Sequence, residues 1–236
     1  MQIKVIADGS TKWDRFIRRW GVSFLIDKDI LFDTFGDPEV FLSNIDRYDI
    51  NLSNIKHIVI SHDHWDHISG LWYLLNRYKN VSVYICPNFK PEIKERIKSF
   101  NVNVVEVNGL RSIKDGIYST GQMNCELEGK NIFEQSLVLK SNCGLIVVTG
   151  CAHPGIVTII DNIKKQFSEN IYLIIGGLHL KDTTEKQIRE VISRLKVYGV
   201  HKIVPMHCTG KLAIDLIKKT YEDNFIHTKE GSEIVV

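Results

Sequence analysis

SHDHWDHISG, residues 61–70, sets His62, His64 and His67 beside Asp63 and Asp66, directly after the apolar run His57-Ile58-Val59-Ile60. The run has the Val and Ile content of a buried strand, and a helical pattern, ISGLWYLLNRY, follows it. The segment therefore reads as strand, turn, helix, with five potential ligands on the turn. Histidines two residues apart on an extended turn can aim at one ion. Asp66 and His67, at the start of the helix, point elsewhere and can serve a second ion nearby. Imidazole and carboxylate together suit zinc, iron or manganese rather than calcium or magnesium alone. The rival reading is a surface loop that happens to be rich in histidine. Three histidines and an aspartate at this spacing favour the metal.

The same pattern recurs along the chain. GLIVVTGCAHPGI (144–156) runs from a buried strand into Cys151 and His153. IYLIIGGLHLKD (171–182) ends a strand with a glycine pair and His179. HKIVPMHCTG (201–210) delivers His207. If those strand ends meet at one rim, they build one site. Cys151 reads equally as a ligand or as a small core residue, the common fate of a free cysteine. His57, His201 and His227 read as structural, and Cys208 as packing.

Nine short apolar runs alternate with amphipathic helical patterns, so the fold class is α/β (α+β): two sheets with outer helices, one domain over residues 1–236. Asp182-x-x-Glu185 predicts a helix start, and Thr209 predicts the N-cap of GKLAIDLIKKTY. A net charge of +2 does not imply nucleic acid or an anionic membrane as partner. Five cysteines without a C-x-x-C pair fit a reducing compartment better than a disulfide framework. No apolar run nears the ~20 residues that span a bilayer, and MQIKVIADGS alternates like a strand rather than a signal peptide. A cytoplasmic protein acting on a small molecule is expected, with self-association open.

SHDHWDH matches the H-x-H-x-D-H signature of the metallo-β-lactamase superfamily. ILFDT with Asp33, VVTG before Cys151 and VPMHCTG resemble its further motifs, in order along nearly the whole chain. GVSFLI, EQSLVLK, VVTGCAHPGI and IIGGLHL look like the branch of dihydropterin–ribofuranosylaminobenzene phosphate synthase-like proteins. The resemblance implies a four-layer αβ/βα sandwich of two mixed sheets with a dinuclear metal site at one edge. It implies His62, His64 and His153 on one ion and Asp66, His67 and His207 on the other, with Asp33 orienting a ligand. The cofactors would be two divalent ions, zinc first, with manganese or iron as alternatives.

Three departures stand out. No histidine matches the third motif near IFEQSLVLK, and Cys151 stands where a bridging aspartate is usual, so Cys151 would bridge or lie beside the metals. Arg19-Trp20 stands where the branch often carries Glu-His. The expected function is a hydrolase using a metal-activated hydroxide on a small ester, lactone or phosphoester. The alternative is a pterin-condensing transferase that releases pyrophosphate. Asp66 could take a proton, and His179 could serve an oxyanion or a leaving group. Strand-to-helix turns at GCAHPGI and HCTGK, with Lys181 and Lys211 close by, could hold a substrate phosphate, although plain helix capping explains each turn as well. KWDRFIRRW (12–20) could cover an aromatic substrate, or be an exposed loop with packed tryptophans. Trp65 and Trp72 lie near the ligand cluster in sequence.

Overall fold

Leu145 and Val147 of GLIVVT pack on one side of their strand, and Ile146 and Val148 on the other. Both faces are apolar because both are covered, the mark of a strand inside a layered fold. The computed structural model describes residues 1–236 except for the side chain of Lys12.

In chain order the first strands are β1 (Gln2–Gly9), β2 (Gly21–Ile26), β3 (Ile30–Phe32), β4 (His57–Val59), β5 (Ser82–Ile85) and β6 (Asn103–Glu106). Next come β7 (Arg111–Lys114), β8 (Ile117–Ser119), β9 (Met123–Leu127), β10 (Lys130–Glu134), β11 (Leu137–Ser141), β12 (Gly144–Thr149), β13 (Ile171–Gly177), β14 (Lys202–Met206) and β15 (Glu233–Val235). One sheet runs β15-β1-β2-β3-β4-β5-β6 and the other β14-β13-β12-β11-β8-β7, while β9 and β10 form a separate hairpin. Both large sheets are mixed. β3 to β6 are mutually parallel, as are β12 to β14.

The helices are α1 (Lys12–Phe16), α2 (Pro38–Arg47), α3 (Trp65–Ile68), α4 (Leu71–Arg77), α5 (Pro91–Lys98), α6 (Ile156–Gln166), α7 (Glu185–Val197) and α8 (Lys211–Tyr221). Phe41 and Ile45 of α2, Leu71, Leu74 and Leu75 of α4 and Ile97 of α5 pack on the outer face of the first sheet. α6, α7 and α8 cover the second sheet through Ile156, Ile160, Ile188, Leu195 and Ile217. Phe24, Phe32 and Val59 of the first sheet meet Leu139, Ile146, Ile175 and Val204 of the second in one central layer. This is the αβ/βα sandwich expected, in four layers.

Two caps differ from expectation. α7 starts at Thr184, whose hydroxyl accepts from the Gln187 N–H in a capping box, not at Asp182. α8 starts after Gly210 at φ 79, because the Thr209 hydroxyl is already committed to the Met206 carbonyl at 2.6 Å. Among the described residues no helix is long and apolar enough to cross a membrane.

Candidate metal centre

Parallel strands share a direction, so their C-terminal ends fall along one edge, where side chains project beyond the sheet. β3 delivers Asp33 there. β4 leads to Ser61, His62 and His64, and α3 carries Asp66 and His67. β12 leads to Cys151 and His153, β13 to His179, and β14 to His207 and Cys208. The two sheets face each other, so these ends converge.

Asp66, His67, Cys151 and His207 form one group. Cys151 Sγ lies 3.4 Å from His67 Nε2 and 3.2 Å from His207 Nε2. Asp66 Oδ2 lies 3.4 Å from His67 Nε2 and 3.5 Å from His207 Nε2. Ligand bonds of about 2.0–2.3 Å to a tetrahedral zinc give donor–donor edges of roughly 3.3–3.8 Å. Four of the six donor pairs thus stand at the edge length of a zinc site, and all four donors lie within 4.8 Å of one another. Both rings are turned to present Nε2. His67 Nδ1 meets Asp33 Oδ2 at 2.6 Å, and His207 Nδ1 donates to the Gly9 carbonyl at 2.9 Å. The close approach behind this group needs Gly21, where a Cβ would sit 1.9 Å from the Asp66 carbonyl oxygen.

His62, His64 and His153 form a second group, with ring centroids 4.6 to 5.0 Å apart. The Ser61 hydroxyl donates to Asp33 Oδ2 at 2.7 Å, so its oxygen accepts from His62 Nδ1 at 2.9 Å. That fixes the proton on Nδ1 and leaves His62 Nε2 buried with no partner. A buried acceptor without a partner is costly, and a cation at Nε2 removes the cost. Cys151, His153 and His179 form a third, overlapping group. It shares Cys151 with the first group and His153 with the second.

The electrostatics prepare these groups for cations. Burial, then the neighbouring imidazoles, hold His62 far below the usual histidine range and His64 down to about 4, so both are neutral ligands at physiological pH. Asp66 is opposed by burial but held ionised by His67 and His207. His67 also resists burial: Asp33 and Asp66 keep it protonated well above its ordinary range. A cation at Nε2 would displace that proton, the usual exchange at a ligand histidine.

His64, Asp66, Cys151, His153 and His179 line a cleft of about 770 Å³, together with Arg15, Trp20, Trp65, Lys90, Lys130 and Lys181. Lys181 lies 4.9 Å over the Trp20 ring. Lys211 does not line the cleft: it points to solvent and pairs with Asp215 at 3.0 Å. Trp72 turns away from the site and packs on Phe100, under Arg96. In residues 12–20, Trp13 and Phe16 stack on each other in solvent, while Arg15 and Trp20 reach the cleft; the Lys12 side chain lies outside the described residues. Cys208 is buried against Cys151 and Trp20.

Sequence reasoning missed Glu134 and Ser61. Glu134 lies in the IFEQS stretch where a histidine was sought, and it accepts from His153 Nδ1 at 2.8 Å. Nothing in KNIFE (130–134), whose Lys130 and Asn131 are exposed, marks its last residue as a buried carboxylate.

The description "Metallo-beta-lactamase superfamily" fits residues 21–114. The chain is 30% identical over 93% of its length to a protein of Methanocaldococcus jannaschii, across 90% of that protein, named 7,8-dihydropterin-6-methyl-4-(beta-D-ribofuranosyl)-aminobenzene-5'-phosphate synthase. Among solved structures, Tm1679, described as a metal-dependent hydrolase of the beta-lactamase superfamily, superposes with a TM-score of 0.83 at 27% identity, covering 100% of this chain and 99% of that one. The metallo-beta-lactamase fold protein YhfI of Bacillus subtilis shares the fold, with a TM-score of 0.69 at 14% identity over 99% of this chain and 98% of that one.

Proposed function

The chain belongs to the metallo-β-lactamase superfamily, and on that premise we propose that it is a hydrolase holding two divalent ions, zinc first, and acting on a small ester, lactone or phosphoester. The observation that carries this reading is a pair of adjacent donor groups, Asp66, His67, Cys151 and His207 in one and His62, His64 and His153 in the other, linked by a third that shares Cys151 with the first and His153 with the second. Residues 1–236 act as one catalytic domain in this reading, since both sheets share one apolar layer.

Bound ions would supply Lewis acidity and lower the pKa of a water molecule. The protein supplies the rest. His62, His64 and His153 hold one ion, and Asp66, His67, Cys151 and His207 the other. Asp33 keeps His67 in the tautomer that ligates and, through Ser61, does the same for His62. Asp66 would hold charge beside its ion and, in this reading, take the proton as the nucleophile attacks. His179 stands on the cleft wall, its ring 4.5 Å from that of His153, with a buried Nδ1 lacking a partner. It can donate to a developing oxyanion or a leaving group. Four cations, Arg15, Lys90, Lys130 and Lys181, line the cleft beside four carboxylates, Asp63, Asp66, Glu128 and Asp182, and its volume suits a small molecule.

A second reading has one observation behind it, the 30% identity to the pterin synthase along almost the whole chain. In that reading the cleft joins a dihydropterin diphosphate to an aromatic amine and releases pyrophosphate. The test is metal content of the purified chain, followed by turnover of a phosphodiester, an aryl ester and a lactone against pyrophosphate release from the pterin pair. Hydrolysis that needs the metal and is lost in His62→Ala supports the first reading. Pyrophosphate release alone replaces it with the second. A chain that takes up no divalent ion overturns both.

A further inference from the structure

Glu134 ends β10 and is 1% exposed. Its Oε1 accepts from the N–H of Cys151 at 3.0 Å and of Ala152 at 2.8 Å. Its Oε2 accepts from the N–H of His153 at 2.8 Å and from the ring Nδ1–H at 2.8 Å. One carboxylate thus gathers three successive backbone donors and the imidazole that follows them. Successive N–H groups around an anion form a nest. The turn needs such a holder, because Ala152 sits at φ 62, where a residue with a Cβ is disfavoured.

The next residue grips the opposite strand. Gln135 Nε2 donates to the Ile60 carbonyl at 2.8 Å, and its backbone N–H to the Ser61 carbonyl at 2.9 Å. Two adjacent residues therefore tie the turn that carries His153 to the strand end that carries His62 and His64. The bond to Nδ1–H also fixes the His153 tautomer and leaves Nε2 free.

We propose that Glu134 is the positioning residue that sets His153 against His62 and His64 and so decides how tightly that group closes on an ion. This rests on the two-ion reading above. It also accounts for the missing histidine near IFEQSLVLK: a carboxylate stands in that stretch, and it orients a histidine delivered by β12 instead.

The experiment uses the full chain with zinc, measuring ion content and affinity by chelator competition for wild type, Glu134→Gln, His153→Ala and the double variant, and repeating the titration with cobalt(II) to read the coordination spectrum. Glu134→Gln is expected to weaken binding of the ion of His62, His64 and His153 by about 10–100-fold, the range for a lost partner of a ligand histidine, and that of the ion of Cys151 by less. At the ion of His62, His64 and His153 the two substitutions are expected to be sub-additive in the double variant, since Glu134 acts in part through the His153 ring. Should Glu134→Gln not fold, Glu134→Asp keeps the charge, withdraws it by one methylene and is expected to show the same selective loss. Wild-type affinity for both ions, equal weakening of both, or additive effects in the double variant would overturn the proposal. A wild-type chain that takes up no ion overturns the two-ion reading and this inference with it.

Discussion

Gly150→Ala demands no unusual backbone, since Gly150 lies outside the left-handed region. In the structure a Cβ there would sit 2.2 Å from Ser61 Oγ, 2.7 Å from Ser61 Cβ and 2.9 Å from Asp33 Oδ2. Ser61 cannot retreat as a unit. Its N–H is bonded to Asp33 Oδ1 at 2.7 Å, and its carbonyl receives the Gln135 N–H at 2.9 Å. The hydroxyl must swing away and give up its bonds to Asp33 and His62. A lost hydrogen bond to a charged group costs about 1.5–3 kcal/mol, and overpacking about 1–3 kcal/mol. The stiffer unfolded chain returns about 0.4–1 kcal/mol. The net destabilisation is about 2–5 kcal/mol, and each kcal/mol lowers Tm by roughly 2–4 °C in a chain of this size. Urea unfolding of the metal-free protein measures it. In a Ser61→Gly background both clashing serine atoms are gone, so the two substitutions should couple by at least about 1 kcal/mol. A Gly150→Ala variant within about 0.5 kcal/mol of wild type, or strict additivity, would refute the packing argument.

Cys151→Ser removes an ionisable ligand from the tetrahedral group and is expected to weaken ion binding at least about tenfold; unchanged affinity in chelator competition would reduce Cys151 to packing. Lys181→Ala should raise KM for an anionic substrate by about tenfold, one charge-assisted contact, while Lys211→Ala, exposed and paired with Asp215, should leave KM unchanged. Equal effects of the two would remove Lys181 from the cleft's chemistry. Tyr221 is buried with an unpartnered hydroxyl, and burial pushes its pKa up to about 12. Its neutral form is favoured by the fold, so that contribution is whole below about pH 10, its ordinary value, and is lost as pH rises towards 12. Tyr221→Phe should be no less stable than wild type at pH 7 and should lose less stability between pH 10 and 12. Parallel pH profiles for the two proteins would refute this.

Much of the candidate site was legible in the sequence. Local spacing separated His62 and His64 from Asp66 and His67, because a turn and a helix start aim neighbouring side chains differently. Strand ends rich in glycine and histidine marked His153, His179 and His207. Glu134 gave no such sign. Its partners lie 17 to 19 residues further on, and nothing local says that β10 ends against the turn after β12. Lys211 failed for a related reason: proximity to a helix N-terminus in sequence does not say which way a long, flexible side chain points. Trp72, close to the cluster in sequence, lies on the face of α4 that packs against Phe100.

The sequence alone determined the alternating apolar strands, the order of the layers and the residue types able to bind a cation, since these depend on near neighbours and on periodicity. Only the tertiary structure decided which donors share an ion, which ring nitrogen each histidine presents and what holds the Cys151–His153 turn. Those follow from contacts between segments far apart in the chain: Asp33 with His67, Gly9 with His207, Glu134 with His153. SHDHWDHISG carries His62, His64, Asp66 and His67, but the donors that complete both groups come from strand ends of the facing sheet, and packing across the shared apolar layer brings them together.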